Sequence, residues 1–202
     1  MPVIFQEEIN NAIRLGIWKI EEPPDFFREK VPLHRAVTHP HKMLQHLAGR
    51  FLLQYLFPGF PYHLIQIAET RKPFLPDEAF HFSISHCGDY AAAIVSREQR
   101  VGIDIEIPVA KVVTIRHKFM SPAEMELLNP LSMEEYTQVW SAKEAVYKWY
   151  GLGKVDFREH IRITGYNDLR SAFDCRFMLT NSSLKVHLQQ FSGLCLSYVV
   201  SE

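Results

Sequence analysis

Val101-Gly102-Ile103-Asp104-Ile105-Glu106-Ile107 alternates apolar residues with others at a period of two, the pattern of a β-strand. Side chains two apart on a strand share a face, with roughly 6–7 Å between their Cα atoms. Val101, Ile103, Ile105 and Ile107 are assigned to the core face, and Asp104 and Glu106 project together from the other. Two carboxylates so close repel each other unless a positive charge lies between them. A hard divalent cation such as Mg²⁺ would supply it. A half-exposed strand with solvated outer residues also explains the pattern, and taken by itself the stretch favours that plainer explanation.

Elements of both kinds surround this strand. Ile13, Leu15 and Ile17 alternate with Arg14 and Gly16, which predicts a strand stopped before Pro23-Pro24. Met43, Leu44, Leu47, Ala48, Phe51, Leu52 and Tyr55 recur at three- and four-residue spacing, which predicts a helix over 41–57 ended by Pro58-Gly59. Strands are predicted at 63–69, 80–85, 90–97 and 100–106. Ser121-Pro122-Ala123-Glu124 has the N-cap serine, first-turn proline and third-position glutamate of a helix start. A second helix spans about 133–150 and ends at Gly151. Strands fill 161–200, broken at Gly165-Tyr166-Asn167-Asp168, Asn181-Ser182-Ser183 and Ser192-Gly193. The order predicts an α+β fold of two similarly built halves, 1–100 and 101–202, although no internal sequence repeat is visible.

Composition narrows the function classes. The chain has 202 residues, 47% apolar and 22% charged, ordinary for a globular protein. Lys and Arg total 22 against 23 Asp and Glu, which excludes a strongly basic nucleic-acid wrapper. Cys87, Cys175 and Cys195 are far apart and form no C-x-x-C, so neither a disulfide framework nor a zinc knuckle is expected. His34, His39, His41 and His46 form no metal-binding spacing. The N-terminal residues carry Glu7 and Glu8 and no apolar core of a secretory signal. No apolar run reaches the ~18 residues of a membrane span; the greasiest stretch, 51–57, is interrupted by Gln54. A cytoplasmic protein with no membrane or nucleic-acid partner is expected.

On a helical wheel the residues around Trp140-Ser141-Ala142-Lys143-Glu144-Ala145-Val146-Tyr147-Lys148 leave an apolar arc of roughly 220°, so this helix should be largely enclosed. Thr137, Ser141, Glu144 and Lys148 occupy the remaining window, and Lys143 falls inside the apolar arc. Glu144 and Lys148 are one turn apart. They form either a solvated ion pair or the charged wall of a cleft. Upstream, Phe82-Ser83-Ile84-Ser85-His86 brings Ser85 next to His86, but strand neighbours face opposite ways, which argues against a nucleophilic dyad. His86 at a strand end, Arg71-Lys72-Pro73 at a rigid turn, and Lys42 and Arg50 on the first long helix are cations that could meet an anion; each is also an ordinary surface charge.

Taken together, these elements resemble the 4′-phosphopantetheinyl transferase family. Gly102-Ile103-Asp104-Ile105-Glu106 is followed by Trp140-Ser141-Ala142-Lys143-Glu144-Ala145 and Lys148, as in that family. Arg71-Lys72-Pro73, Phe82-Ser83-Ile84-Ser85-His86 and Phe119-Met120-Ser121-Pro122-Ala123-Glu124 match its other elements in the family order, over about residues 40 to 152. The length is similar to the larger single-chain branch, whose two halves form a pseudo-dimer around one cleft, which implies a monomer.

The resemblance implies transfer of the 4′-phosphopantetheine arm of coenzyme A to a serine of an apo acyl or peptidyl carrier protein, releasing adenosine 3′,5′-bisphosphate. It implies Mg²⁺ held by Asp104, Glu106 and Glu144, with Glu144 or a metal-bound water as base and Lys148 on the diphosphate. It further implies Lys72 and His86, with Ser85, at the coenzyme A phosphates, chiefly the 3′-phosphate, and Lys42 and Arg50 as further candidates. Lys143 stays open between a salt bridge and a phosphate contact. A decayed coenzyme A- or carrier-binding protein would share these motifs without turnover. A generic Mg²⁺-dependent phosphohydrolase would ignore the adenosine 3′-phosphate.

Overall fold

The computed structural model describes residues 2–31, 37–129 and 131–201; His34 lies outside them. The chain divides into two compact units, Met1–Val101 and Gly102–Glu202. Among the described residues no helix is long and apolar enough to cross a membrane.

The first unit contains β1 (Val3–Asn10), β2 (Ile13–Lys19), α1 (Pro24–Arg28), α2 (Pro40–Leu56), the short strands β3 (Gln66–Ile67) and β4 (Pro73–Phe74), β5 (His81–Cys87) and β6 (Tyr90–Ser96). Its main sheet has the order β1-β2-β6-β5, antiparallel throughout. Helix α2 starts at N-cap His39 with Pro40 in its first turn, as expected where the first backbone N–H groups have no helical partner. It buries Leu47, Ala48, Leu52, Leu53 and Leu56 on the sheet.

The second unit contains nearly all of β7 (Val101–Glu106), then α3 (Lys111–Ile115), α4 (Pro122–Leu127), α5 (Met133–Tyr150), β8 (Ile161–Tyr166), β9 (Ala172–Phe177), β10 (Ser182–Phe191) and β11 (Leu194–Val200). The sheet order is β7-β11-β10-β9-β8. Capping boxes at Ser121–Glu124 and Ser132–Glu135 start α4 and α5, and Gly151 closes α5 at φ 74°, a left-handed position that glycine adopts without strain. Val139, Ala145 and Val146 of α5 pack with Phe119, Phe173 and Phe177 in this unit's core.

The two units share a plan that no sequence repeat announces. In each, the strand before the long helix lies beside the unit's last strand, β2 by β6 and β7 by β11. That last strand in turn pairs with the one before it, β5 and β10 respectively. The fold is α+β.

Two expectations need correction, and one strand goes unpredicted. Residues 63–69 form a 3-10 turn, Tyr62–Leu64, and the two-residue β3 rather than one strand. The Tyr62 hydroxyl accepts from the Gln54 backbone N–H and donates to the Phe51 carbonyl, tying the segment to α2. Strand β1 carries no legible signal because it lies at the sheet edge, where Glu7 shares the half-buried row of Val3, Phe5 and Ile9. The acidic face of β7 is not a solvated one: Asp104 is 3% exposed, because α5 covers that face.

Candidate active site

Gly102 sets the height of α5 above β7. A Cβ there would lie 2.1 Å from the Ala145 carbonyl oxygen and 2.7 Å from the Trp149 nitrogen, so no larger residue fits without moving the helix. Asp104 and Glu106 follow on the same face of the strand. Above them, Trp140, Glu144 and Lys148 recur every four residues and form one row along α5.

Strand and row meet in opposite directions. Trp140 Nε1 donates to Glu106 Oε1 at 3.0 Å. Lys148 Nζ stands 2.6 Å from Asp104 Oδ1, so Lys148 pairs across to the strand. Glu144, half-buried, lies between these two contacts in the row. Burial raises its pKa first and the Asp104 charge next; Glu106 adds to this and Lys148 opposes it, leaving the carboxyl at about 7. The Glu144 charge therefore feels all three neighbours.

The donors are hard carboxylate oxygens, the type that Mg²⁺ takes. Asp104 and Glu106 raise the Glu144 pKa by repulsion, which a cation would relieve. The residues thus fit a hard divalent ion. Among the described residues no three His, Cys, Asp or Glu side chains already converge as tightly as a metal requires.

Lys143 belongs to the core and not to this row. It is fully buried, with Nζ 2.7 Å from Glu124 Oε1 and 2.9 Å from Glu124 Oε2. The same ammonium donates to the Phe157 and Ile161 carbonyls at 2.9 and 2.7 Å. Glu124 also accepts the Ser121 and Ile163 backbone N–H groups, at 2.8 Å each. Burial pulls the Lys143 pKa down while Glu124 pulls it up. The choice left open for Lys143 therefore falls to the salt bridge. The network ties α4, α5 and β8 together beside Glu144.

The first unit holds the other candidates in separate places. Lys72 is half-buried, and burial, reinforced by Arg100, lowers its pKa to about 8. His81, at the start of β5, feels both Arg100 and Lys72. His86 is exposed near the other end of that strand, five residues or roughly 17 Å from His81. His86 packs edge-on against His46, with ring centroids 5.8 Å apart. His46 Nδ1 lies 3.3 Å from Nη1 of Arg50, a buried arginine. Lys42 is exposed in the first turn of α2. Ser85 is buried while His86 is exposed, consistent with opposite faces and against a Ser–His dyad.

Three contributions escaped the sequence reading: the indole of Trp140 on Glu106, Glu124 as the partner of Lys143, and His46 between Arg50 and His86. Two of them had a signal in four-residue helical spacing, Trp140 before Glu144 and His46 before Arg50.

Comparison with known proteins adds the family. A family model described as the 4′-phosphopantetheinyl transferase superfamily matches residues 100–201, half of the chain. The chain belongs to this superfamily. The matched segment contains Asp104, Glu106, Glu144 and Lys148, and it leaves Lys42, Arg50, Lys72, Ser85 and His86 outside. Among individual relatives, enterobactin synthase component D of Escherichia coli (strain K12) is 40% identical over 111 residues, covering 52% of this chain and 52% of the relative. The protein of that name from Salmonella austin is 31% identical over 148 residues, covering 71% and 58% respectively. The 4′-phosphopantetheinyl transferase AcpT of Escherichia coli (strain K12) is 33% identical over 111 residues, covering 52% and 56%. The chain thus spans about half the length of the curated relatives it matches.

Proposed function

We propose that this chain is a Mg²⁺-dependent 4′-phosphopantetheinyl transferase that modifies a serine of an apo acyl or peptidyl carrier protein with the arm of coenzyme A. The observation that carries this reading is the row of Trp140, Glu144 and Lys148 on α5 laid over Asp104 and Glu106 of β7, inside the segment that matches the superfamily.

In this reading the carrier serine oxygen attacks the β-phosphorus of coenzyme A, and the bridging bond to the α-phosphate breaks. Adenosine 3′,5′-bisphosphate leaves. A divalent ion, when bound by Asp104, Glu106 and Glu144, would neutralise charge on the diphosphate. Glu144 takes the serine proton as general base. Lys148, held by Asp104, supplies a fixed positive charge beside the diphosphate. Lys72, Ser85 and His86, with Lys42 and Arg50, bind other parts of coenzyme A. The protein works in the cytoplasm as a monomer.

The test is mass spectrometry of apo carrier proteins incubated with coenzyme A, Mg²⁺ and this protein. A gain of the phosphopantetheine mass, lost when Mg²⁺ is chelated, is the expected result. Cleavage of coenzyme A with no gain on any carrier would overturn the assignment.

A further inference from the structure

The two strand carboxylates of the site have different partners. Asp104 faces a cation, Lys148, at 2.6 Å. Glu106 receives a neutral donor, the Trp140 indole N–H, at 3.0 Å. An indole nitrogen has one hydrogen to give and no lone pair to offer, whereas an ionised carboxylate accepts about four hydrogen bonds. The contact therefore uses one acceptor site of Glu106, fixes its direction and leaves its negative charge intact. A lysine in the same place would fix the carboxylate equally well but compete with any cation it was meant to hold.

The indole is itself held firmly. The ring of Phe119, a fully buried residue, stands edge-on to it at 5.3 Å, and that of Phe157 lies at 5.5 Å. Phe157 also meets the Tyr147 ring at 5.6 Å, and its carbonyl accepts from Lys143. The buried Lys143–Glu124 pair thus anchors a ring that walls the indole. Glu106 is the last residue of β7, half-exposed and with three rotatable side-chain bonds, and the indole contact restricts them.

We infer that Trp140 is a positioning residue that aims the Glu106 carboxylate for a divalent cation; this rests on the reading of Asp104, Glu106 and Glu144 as the cation site. Partners of this kind behind a ligand typically change metal affinity by ~10- to 100-fold when removed.

The experiment measures Mn²⁺ binding by electron paramagnetic resonance, on the full chain with coenzyme A present and no carrier. Trp140→Phe keeps a ring between Phe119 and Phe157 and deletes only the N–H. It should weaken Mn²⁺ binding by ~10-fold or more. Glu106→Gln should also weaken it, and the double variant should bind no worse than Glu106→Gln, because both changes act through one carboxylate. Trp18→Phe is the control: Trp18 Nε1 also donates to a glutamate, Glu22, at 3.0 Å, but outside the site. It should bind Mn²⁺ as the wild type does.

Wild-type affinity in Trp140→Phe, with Glu106→Gln weakened, would overturn the role of Trp140 and leave the cation site standing. Multiplying effects in the double variant would overturn it as well. Equal binding by wild type and Glu106→Gln would remove the cation site and this inference with it. A second measurement needs no Trp140 variant. In ¹H–¹⁵N spectra of the wild type, Mg²⁺ should shift the Trp140 indole resonance and leave that of Trp18 in place; an unmoved Trp140 resonance would overturn the inference.

Discussion

Replacing Lys143 by methionine keeps the length of the side chain and removes its charge. Glu124 would remain buried, still bonded to the Ser121 and Ile163 backbone N–H groups but with no counter-charge, and the Phe157 and Ile161 carbonyls would lose their donor. Breaking a buried pair by removing one partner costs about 3–5 kcal/mol, because the charge left behind is uncompensated. For a chain of this size each kcal/mol lowers the melting temperature by roughly 2–4 °C, so a loss of ~6–20 °C is expected in thermal unfolding followed by circular dichroism. Lys143→Met combined with Glu124→Gln removes both charges and should recover part of that loss, since a neutral amide can still accept one of the backbone bonds. The separate effects should therefore fail to add. A single variant that melts within about 2 °C of the wild type would refute the reasoning, since that shift amounts to ~1 kcal/mol or less and a buried unpaired charge should cost more. So would a double variant that loses the sum of both single losses.

Gly102→Ala should lower the melting temperature and the transfer rate together, because its Cβ must push α5 off β7 at the level of Ala145; a fully active, wild-type-stable variant in a thermal melt and transfer assay would contradict the close approach. Glu144→Gln should lower kcat by ~100-fold or more in the carrier-modification assay. Without added metal, the folded state holds the Glu144 proton up to about 7 against an ordinary value of 4.5, so it binds more protons than the unfolded chain across that interval. Wild-type stability should accordingly fall as pH rises through the interval, and melts of Glu144→Gln should show less of that fall. Lys72→Ala and His86→Ala should each raise the KM for coenzyme A more than that for dephospho-coenzyme A; an unchanged preference in both variants would move the 3′-phosphate contact to other residues.

The chain announced its elements where one physical rule acted without competition. Ser121 with Glu124, and Gly151 after Tyr150, mark helix ends by local chemistry, and α4 and α5 begin and end there. Strand β1 lacked a legible period because an edge strand need not bury either row completely, and Glu7 can sit among Val3, Phe5 and Ile9. The acidic stretch of β7 was legible as a strand but not as a covered one. Period two places Asp104 and Glu106 on a shared face, yet it says nothing of what lies over that face. Gly102 carried that information, because a glycine at the start of an otherwise branched strand marks a close backbone approach. With α5 fixed at that height, Trp140 and Lys148 reach the two strand carboxylates from fixed positions in the helical row. Lys143 shows the opposite case. Its place inside the apolar arc followed from the wheel, but its partner Glu124 is 19 residues away in sequence, and only the packing of α4 against β8 brings the carboxylate to it. The charged residues next to each other in the sequence, Lys143 and Glu144, thus serve different ends: one holds the helix in the core, and the other faces the strand carboxylates.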